Sequence, residues 1–166
     1  MTAFVWRIAT RADLPRIVEI YNGTVASREV TADLAPVSVE SRLPWFEAHA
    51  SGHRPLWVSE VDGTIAAWLS FSSFYGRPAY DHTAEVSVYL DAGFRRRGLG
   101  GFLLDEAIHQ APALGLQVLL AFIFAHNDAS MALFQGRAFE SWGLLPRVAR
   151  LDGVERDLAI LGRRVR

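Results

Sequence analysis

Apolar positions along this chain change period several times, and each change marks an element. Trp6 and Ile8 alternate with Arg7 as in a short first strand. Thr10 then reads as a helix N-cap, with Asp13 at the capping-box position in its shorter-acid form. Leu14, Ile17, Val18 and Tyr21 follow at helical spacing. Ser38 is the predicted cap of a second helix that carries Leu43, Trp45 and Phe46 and stops before Gly52; Ser27 to Pro36, between the helices, reads as a loop. Leu56 to Val61 and Ile65 to Phe71 are strands around Asp62-Gly63, a strong two-residue hairpin signal. Ser72 to His82 is a loop dense in aromatic residues. The strand Ala84 to Leu90 sets Glu85, Ser87 and Tyr89 on one face and Val86, Val88 and Leu90 on the other. A helix over Phe102 to Ala111 follows, then Val118 to Phe124, a continuous apolar run typical of a central strand. A short helix from about Ala129 to Arg137 and two strands around Asp152-Gly153 complete the order β-α-α-β-β-β-α-β-α-β-β. No linker or repeat interrupts it, so the pattern predicts one α/β domain over residues 1–166.

Composition narrows the function classes. Of the 166 residues 51% are hydrophobic, ample for one core, and the net charge of -1 supplies no global field for nucleic acid or an acidic membrane. Basic residues cluster instead at Arg95, Arg96 and Arg97 and at Arg163, Arg164 and Arg166; the second cluster reads as a solvated tail. There is no cysteine, which excludes disulfides and a cysteine-bound acyl intermediate and fits a reducing compartment. No secretory leader is visible in the first residues, and no apolar run approaches the ~20 residues of a membrane span. The expected location is the cytoplasm. The five histidines show no tight ligand spacing, and Gly52 interrupts the pair His49 and His53, so no metal is expected.

The stretch Arg95-Arg96-Arg97-Gly98-Leu99-Gly100-Gly101 carries the most chemistry. It lies between an alternating strand and a helix. The first N–H groups of a helix have no intrahelical acceptor and sit at the positive end of its dipole. Glycines there let a phosphate approach the backbone, and the arginines add formal charge, so a pyrophosphate is the expected guest. A Walker loop is excluded because the chain has no lysine. A dinucleotide fingerprint fails at its third glycine, where Leu103 stands. Arg-x-x-Gly-x-Gly, filled by Arg95, Gly98 and Gly100, is the pattern that fits.

That pattern resembles the coenzyme A pyrophosphate loop of the GNAT acetyltransferases. Ala79 to Tyr89, with Thr83-Ala84-Glu85 at its centre, is similar to the fourth-strand signature of the branch that acetylates phosphinothricin, methionine sulfone and methionine sulfoximine. Asn127-Asp128-Ala129-Ser130 with Leu133, Phe134 and Phe139 resembles the later segment beside the pantetheine arm. Thr10 to Leu14 with Ile20-Tyr21-Asn22, and Pro36 to Arg42 with Trp45-Phe46, resemble the opening helices. The resemblance implies a GNAT-like, mostly antiparallel mixed sheet with helices on both faces, acetyl-CoA as cosubstrate, and a homodimer.

The resemblance also implies roles. Glu85 matches the glutamate that serves as general base, which an amine attacking a thioester requires. Val88, Tyr89 and Leu90 match the strand end that holds pantetheine, where a free N–H stabilises the thioester oxygen. Asn127 and Ser130 match coenzyme A contacts, although a helix N-cap accounts equally for Asn127. The tyrosine that protonates the leaving thiolate in many relatives is matched by Phe134, which has no proton to give, and leaves Tyr89, a water or no acid at all. Ala138 stands where a glycine usually precedes Phe139. Tyr75, Arg77 and Tyr80 match the acceptor loop, where Arg77 is suited to fork onto a carboxylate. Ser27 to Thr31 and Glu155 depart from the branch on the acceptor side. The expected activity is therefore acetyl transfer to the primary amine of a small, amino-acid-like molecule. Acetylation of a peptide or protein N-terminus and a non-catalytic acyl-CoA-binding module are the alternatives.

Overall fold

The computed structural model describes residues 3–50 and 52–166. The expected element order is observed: β1 (Val5–Ile8), α1 (Leu14–Val25), α2 (Val39–Ala48), β2 (Leu56–Val61), β3 (Thr64–Ser73), β4 (Thr83–Leu90), α3 (Leu99–Gln110), β5 (Val118–Phe124), α4 (Asp128–Gln135), β6 (Glu140–Leu151) and β7 (Val154–Arg164). The strands form one sheet in the order β1-β2-β3-β4-β5-β7-β6. Every neighbouring pair is antiparallel except β4 and β5, which α3 joins as a crossover. Both hairpin signals hold, with Asp62 and Gly63 at φ 50 and 77 and Asp152 and Gly153 at 51 and 82, the left-handed pair that a two-residue turn needs.

The two faces of the sheet are covered by different helices. Leu14, Ile17, Val18 and Phe46 of α1 and α2 pack on Leu56, Val58 and Trp68. Leu99, Leu103, Leu104 and Ala107 of α3, with Phe134 of α4, pack on Leu69, Phe71, Val86 and Leu119. The alternation in β4 divides between them: Val86, Val88 and Leu90 join the α3 side, Tyr89 the α1 side. Asp13 anchors the start of α1. Its carboxylate accepts from the Thr10 N–H at 2.7 Å and from both ends of the Arg7 guanidinium at 2.7 and 3.0 Å. The Arg7 contact, opposed by burial, holds the Asp13 carboxyl below the usual carboxylate range.

Two expectations are corrected. Helix α3 begins at Leu99, not Phe102. Gly98 adopts φ 86 and ψ 1 and ends the turn, so Gly100 and Gly101 belong to the first helical turn. Their low helix propensity hides the start from a sequence reading. Arg163 and Arg164 are not a solvated tail: they lie in β7 opposite Leu119 and Val118. Arg163 also donates to the carbonyl of Arg137, and buried Val165 donates its N–H to Gln117 O at 2.9 Å. Pairing with the apolar strand β5 captures a segment whose charge suggests solvent.

Candidate active site

The parallel pairing of β4 and β5 covers only Thr83↔Val118, Ala84↔Leu119 and Glu85↔Leu120. Beyond Glu85 the strands part, while β4 stays paired to β3 as far as Leu90↔Ala67. One edge of β4 thus runs on without a strand to bond. The gap is a slot of about 40 Å3 lined by Val86 to Tyr89, Ala121 to Ile123, Val30, Asn127, Ser130 and Phe134. Asn127 caps α4, its Oδ1 accepting from Ser130 N–H at 3.2 Å and its Nδ2 donating to Ser130 Oγ at 3.0 Å. Cap and slot wall are therefore the same residues. Phe134 is buried and meets Phe139 edge-on, ring centroids 5.0 Å apart.

The end of β4 meets the start of α3, with Leu90 packed against the cluster that holds Leu99 and Leu103. The first helical bond runs from Phe102 N–H to Gly98 O at 3.0 Å, which leaves the N–H groups of Leu99, Gly100 and Gly101 without a helical acceptor. Arg95, Arg96 and Arg97 before it are exposed, and none hydrogen-bonds or forms an ion pair among the described residues. Arg97 lies over the Phe94 ring at 5.2 Å. The three glycines differ in what they do. Gly98 is needed for its left-handed backbone. A Cβ on Gly100 would come to 3.3 Å from Leu90 Cδ1. A Cβ on Gly101 would come to 2.0 Å from Nη2 of Arg137, whose guanidinium lies across that position. The missing side chain at 101 thus makes room for Arg137.

A second cavity, of about 180 Å3, opens on the other side of β4. Its walls are Ile17, Val18 and Tyr21 of α1, Val37, Arg42 and Trp45 of the α2 region, Trp68, Ser70 and Ser72 of β3, and Ser87 and Tyr89 of β4. Ser87 and Tyr89 line both this cavity and the slot, so the two meet at that point of the strand. Tyr89 stacks on Trp68, centroids 4.4 Å apart, and burial, aided by Tyr21 and Glu85, pushes its phenol up, keeping it protonated. Arg42 is a cation in the wall. Its guanidinium sits 4.9 Å over the Tyr21 ring, and Nη2 bonds Asp33 at 2.9 Å. Tyr21 donates to the same Asp33 carboxylate and meets the Thr31 hydroxyl.

Glu85 stands beside this cavity rather than in its wall, directly across from Ser72 on β3 and from Leu120 on β5. It is half-buried with no charged partner among the described residues, and desolvation raises its carboxyl above the usual range. The expected acceptor residues Tyr75, Arg77 and Tyr80 lie outside the cavity. Phe74, Tyr75 and Tyr80 form an aromatic cluster with centroids 5.3 to 5.6 Å apart, leaning on Phe122 of β5. Arg77 is exposed at the start of the short 3-10 turn Pro78–Tyr80. Sequence reading passed over Arg42. Its signal was the spacing Arg42, Trp45, His49, which puts an arginine and a histidine on one side of a helix with a tryptophan.

Among the described residues no group of histidine and carboxylate side chains could hold a metal, and no helix is long and apolar enough to cross a membrane. The model of the Acetyltransferase (GNAT) family matches residues 17–139. YwnH of Bacillus subtilis (strain 168), provisionally named a phosphinothricin acetyltransferase, is 52% identical over 158 residues, 95% of this chain and 96% of its own length. The L-methionine sulfoximine/L-methionine sulfone acetyltransferase of Pseudomonas paraeruginosa is 35% identical over 156 residues, 93% of this chain and 91% of its own. The solved structure of a GNAT superfamily phosphinothricin acetyltransferase from Sinorhizobium meliloti in complex with AcCoA superposes with a TM-score of 0.93 at 30% identity, covering 99% of this chain and 89% of that one.

Proposed function

The chain belongs to the GNAT family of acetyltransferases, and from that premise we propose that it acetylates the primary amine of a small amino-acid-like acceptor, by direct attack within a ternary complex. The observation that carries this reading is the parting of β4 from β5 beyond Glu85, beside a small cavity whose wall mixes polar and apolar side chains. Acetyl-CoA, when bound, supplies the thioester that the amine attacks. The free N–H groups of Leu99, Gly100 and Gly101, with Arg95, Arg96 and Arg97, receive its pyrophosphate. The unpaired edge of β4 from Val88 to Leu90, with Asn127 and Ser130 opposite, holds the pantetheine arm, and a free N–H there takes the thioester oxygen.

Glu85 accepts the proton that the ammonium must lose, directly or through a water. Its raised carboxyl suits that exchange better than an ordinary carboxylate. Phe134 cannot protonate the departing sulfur. Tyr89, protonated and lining the slot, is the side chain suited to do so. The acceptor occupies the 180 Å3 cavity, a volume comparable with the ~150 Å3 that holds a benzene ring. Nε and Nη1 of Arg42 have no protein acceptor among the described residues and suit a carboxylate; exposed Arg77, in the loop before β4, is the second candidate. The exposed apolar side chains Trp142, Leu144, Leu145, Val148 and Val154 on the β6–β7 hairpin support a homodimer.

A thermal shift with acetyl-CoA, followed by thiol release over an amine panel, tests the reading. Turnover on amino acids, with Arg42→Ala or Arg77→Ala raising KM only for amines that bear a carboxylate, is the expected result. Binding without turnover on any amine would instead mark a non-catalytic acyl-CoA-binding module, and turnover confined to peptides an N-terminal acetyltransferase.

A further inference from the structure

His49 is a buried titratable side chain that the acetyl-transfer scheme leaves unused. It ends α2, and its Nδ1 lies 2.7 Å from the carbonyl oxygen of Trp45. A carbonyl can only accept, so Nδ1 carries the proton and the neutral ring presents a lone pair at Nε2. Burial holds the imidazole below its usual range, against the Trp45 carbonyl and, more weakly, that of Phe71, so the neutral ring prevails at pH 7; its one proton is given to Trp45, since no Nε2 hydrogen bond to Phe71 is formed. Nε2 faces Ser72 Oγ at 3.4 Å.

A hydroxyl has one proton to give. Spent on Nε2, it leaves the lone pairs of Ser72 for the acceptor cavity, whose wall Ser72 forms. The strand register sets Ser72 directly opposite Glu85, and such cross-strand partners hold their Cβ atoms about 4.5–5.5 Å apart on one face. Two acceptors at that spacing can share one nitrogen. Trp45, which fixes the imidazole through its carbonyl, lines the same cavity with its ring.

We propose that His49 is a positioning residue that acts through Ser72. It fixes the Ser72 hydroxyl as a hydrogen-bond acceptor toward the cavity, and Ser72 and Glu85 together orient the acceptor nitrogen for attack. This rests on the acceptor amine occupying that cavity, as proposed above. Loss of a hydrogen bond to a charged group corresponds to about tenfold or more. Ser72→Ala and His49→Leu should therefore each raise KM for the amine by about tenfold and leave KM for acetyl-CoA unchanged. The double variant should be no worse than Ser72→Ala alone, because the histidine has nothing left to act through. His49→Gln, whose amide oxygen can accept from Ser72, should recover most of the loss.

Nitrogen-15 NMR of the wild-type imidazole gives a readout apart from activity, and the Nδ1–H tautomer is expected. Should His49→Leu fail to fold, Ser72→Ala and the tautomer decide. Wild-type amine kinetics in Ser72→Ala, losses that multiply in the double variant, or an Nε2–H tautomer would each overturn the inference while leaving acetyl transfer intact. Absence of turnover by the wild type on every amine would remove the functional reading and this inference with it.

Discussion

Gly101→Ala tests whether the second glycine of the pair at the head of α3 serves packing or ligand. The new Cβ would lie 2.0 Å from Arg137 Nη2 and 2.8 Å from its Cζ. A guanidinium is the free end of a flexible side chain, so it swings away and the backbone stays. What is lost is its set of partners: Gly101 O at 3.2 Å, Leu133 O at 3.3 Å and Asp105 Oδ1 at 2.9 Å. The ion pair is partly exposed, 26% and 60%, and is worth ~0.2–1 kcal/mol. The two carbonyl bonds add ~0.5–1.5 kcal/mol each, at the low end because water replaces them. Against this, alanine is better than glycine in a helix by ~0.5–1 kcal/mol. The net expectation is a destabilisation of about 1 kcal/mol, a Tm lower by ~2–4 °C for a chain of this size. In an Arg137→Ala background the obstruction is gone, and the same substitution should stabilise by about 0.5–1 kcal/mol. The four proteins of this cycle, melted thermally and in urea, give the answer through the sign. A destabilisation of equal size in both backgrounds would refute the packing account. An equal loss of acetyl-CoA affinity in both would show that the phosphate needs the open space at Gly101 as well as its N–H.

Two further predictions follow from single positions. Ala138 holds φ 59 where α4 ends in a Schellman turn, with Phe139 N–H on Phe134 O at 3.2 Å and Ala138 N–H on Gln135 O at 3.1 Å. A left-handed alanine costs ~1–2 kcal/mol and glycine loses ~0.4–1 kcal/mol more chain entropy, so Ala138→Gly should stabilise by about 0.5–1 kcal/mol in urea denaturation; a loss would contradict the turn assignment. Glu85→Gln should lower kcat by about 10²–10⁴ at neutral pH while acetyl-CoA still binds, with the deficit shrinking as pH rises and more amine arrives deprotonated; wild-type kcat and pH profile would exclude Glu85 as the base. Because the Glu85 carboxyl is raised by burial, its ionisation costs stability as pH rises through its folded value. Glu85→Gln should therefore melt higher than wild type at pH 7 and no higher at pH 4, and calorimetry at both values checks the sign.

Periodicity alone marked an α/β chain and the two faces of β4, because a strand buries every second residue and a helix every third or fourth wherever one side meets a core; that the order is the GNAT order came from the resemblance. The hairpins at Asp62-Gly63 and Asp152-Gly153 were equally legible, since few residues accept the left-handed backbone that they require. Arg95, Gly98 and Gly100 pointed to an anion site because the groups that would make it are contiguous in the chain. What spans the chain was not legible in this way. That β4 and β5 pair for three residues and then part depends on how α3 and β7 hold the two strands, which no local pattern encodes. Arg42 lines the cavity proposed for the acceptor, and Arg77 stays outside it, through the packing of α2 on β3 and of Phe74 on Phe122. Gly101 reads as a phosphate glycine until Arg137, 36 positions on, is found lying across it. Ser72 reads as the start of a loop until the register sets it opposite Glu85. Backbone conformation and burial period are decided by a residue and its immediate neighbours. Which side chains share a cavity is decided by contacts between residues far apart in the chain, and those exist only once the sheet has closed.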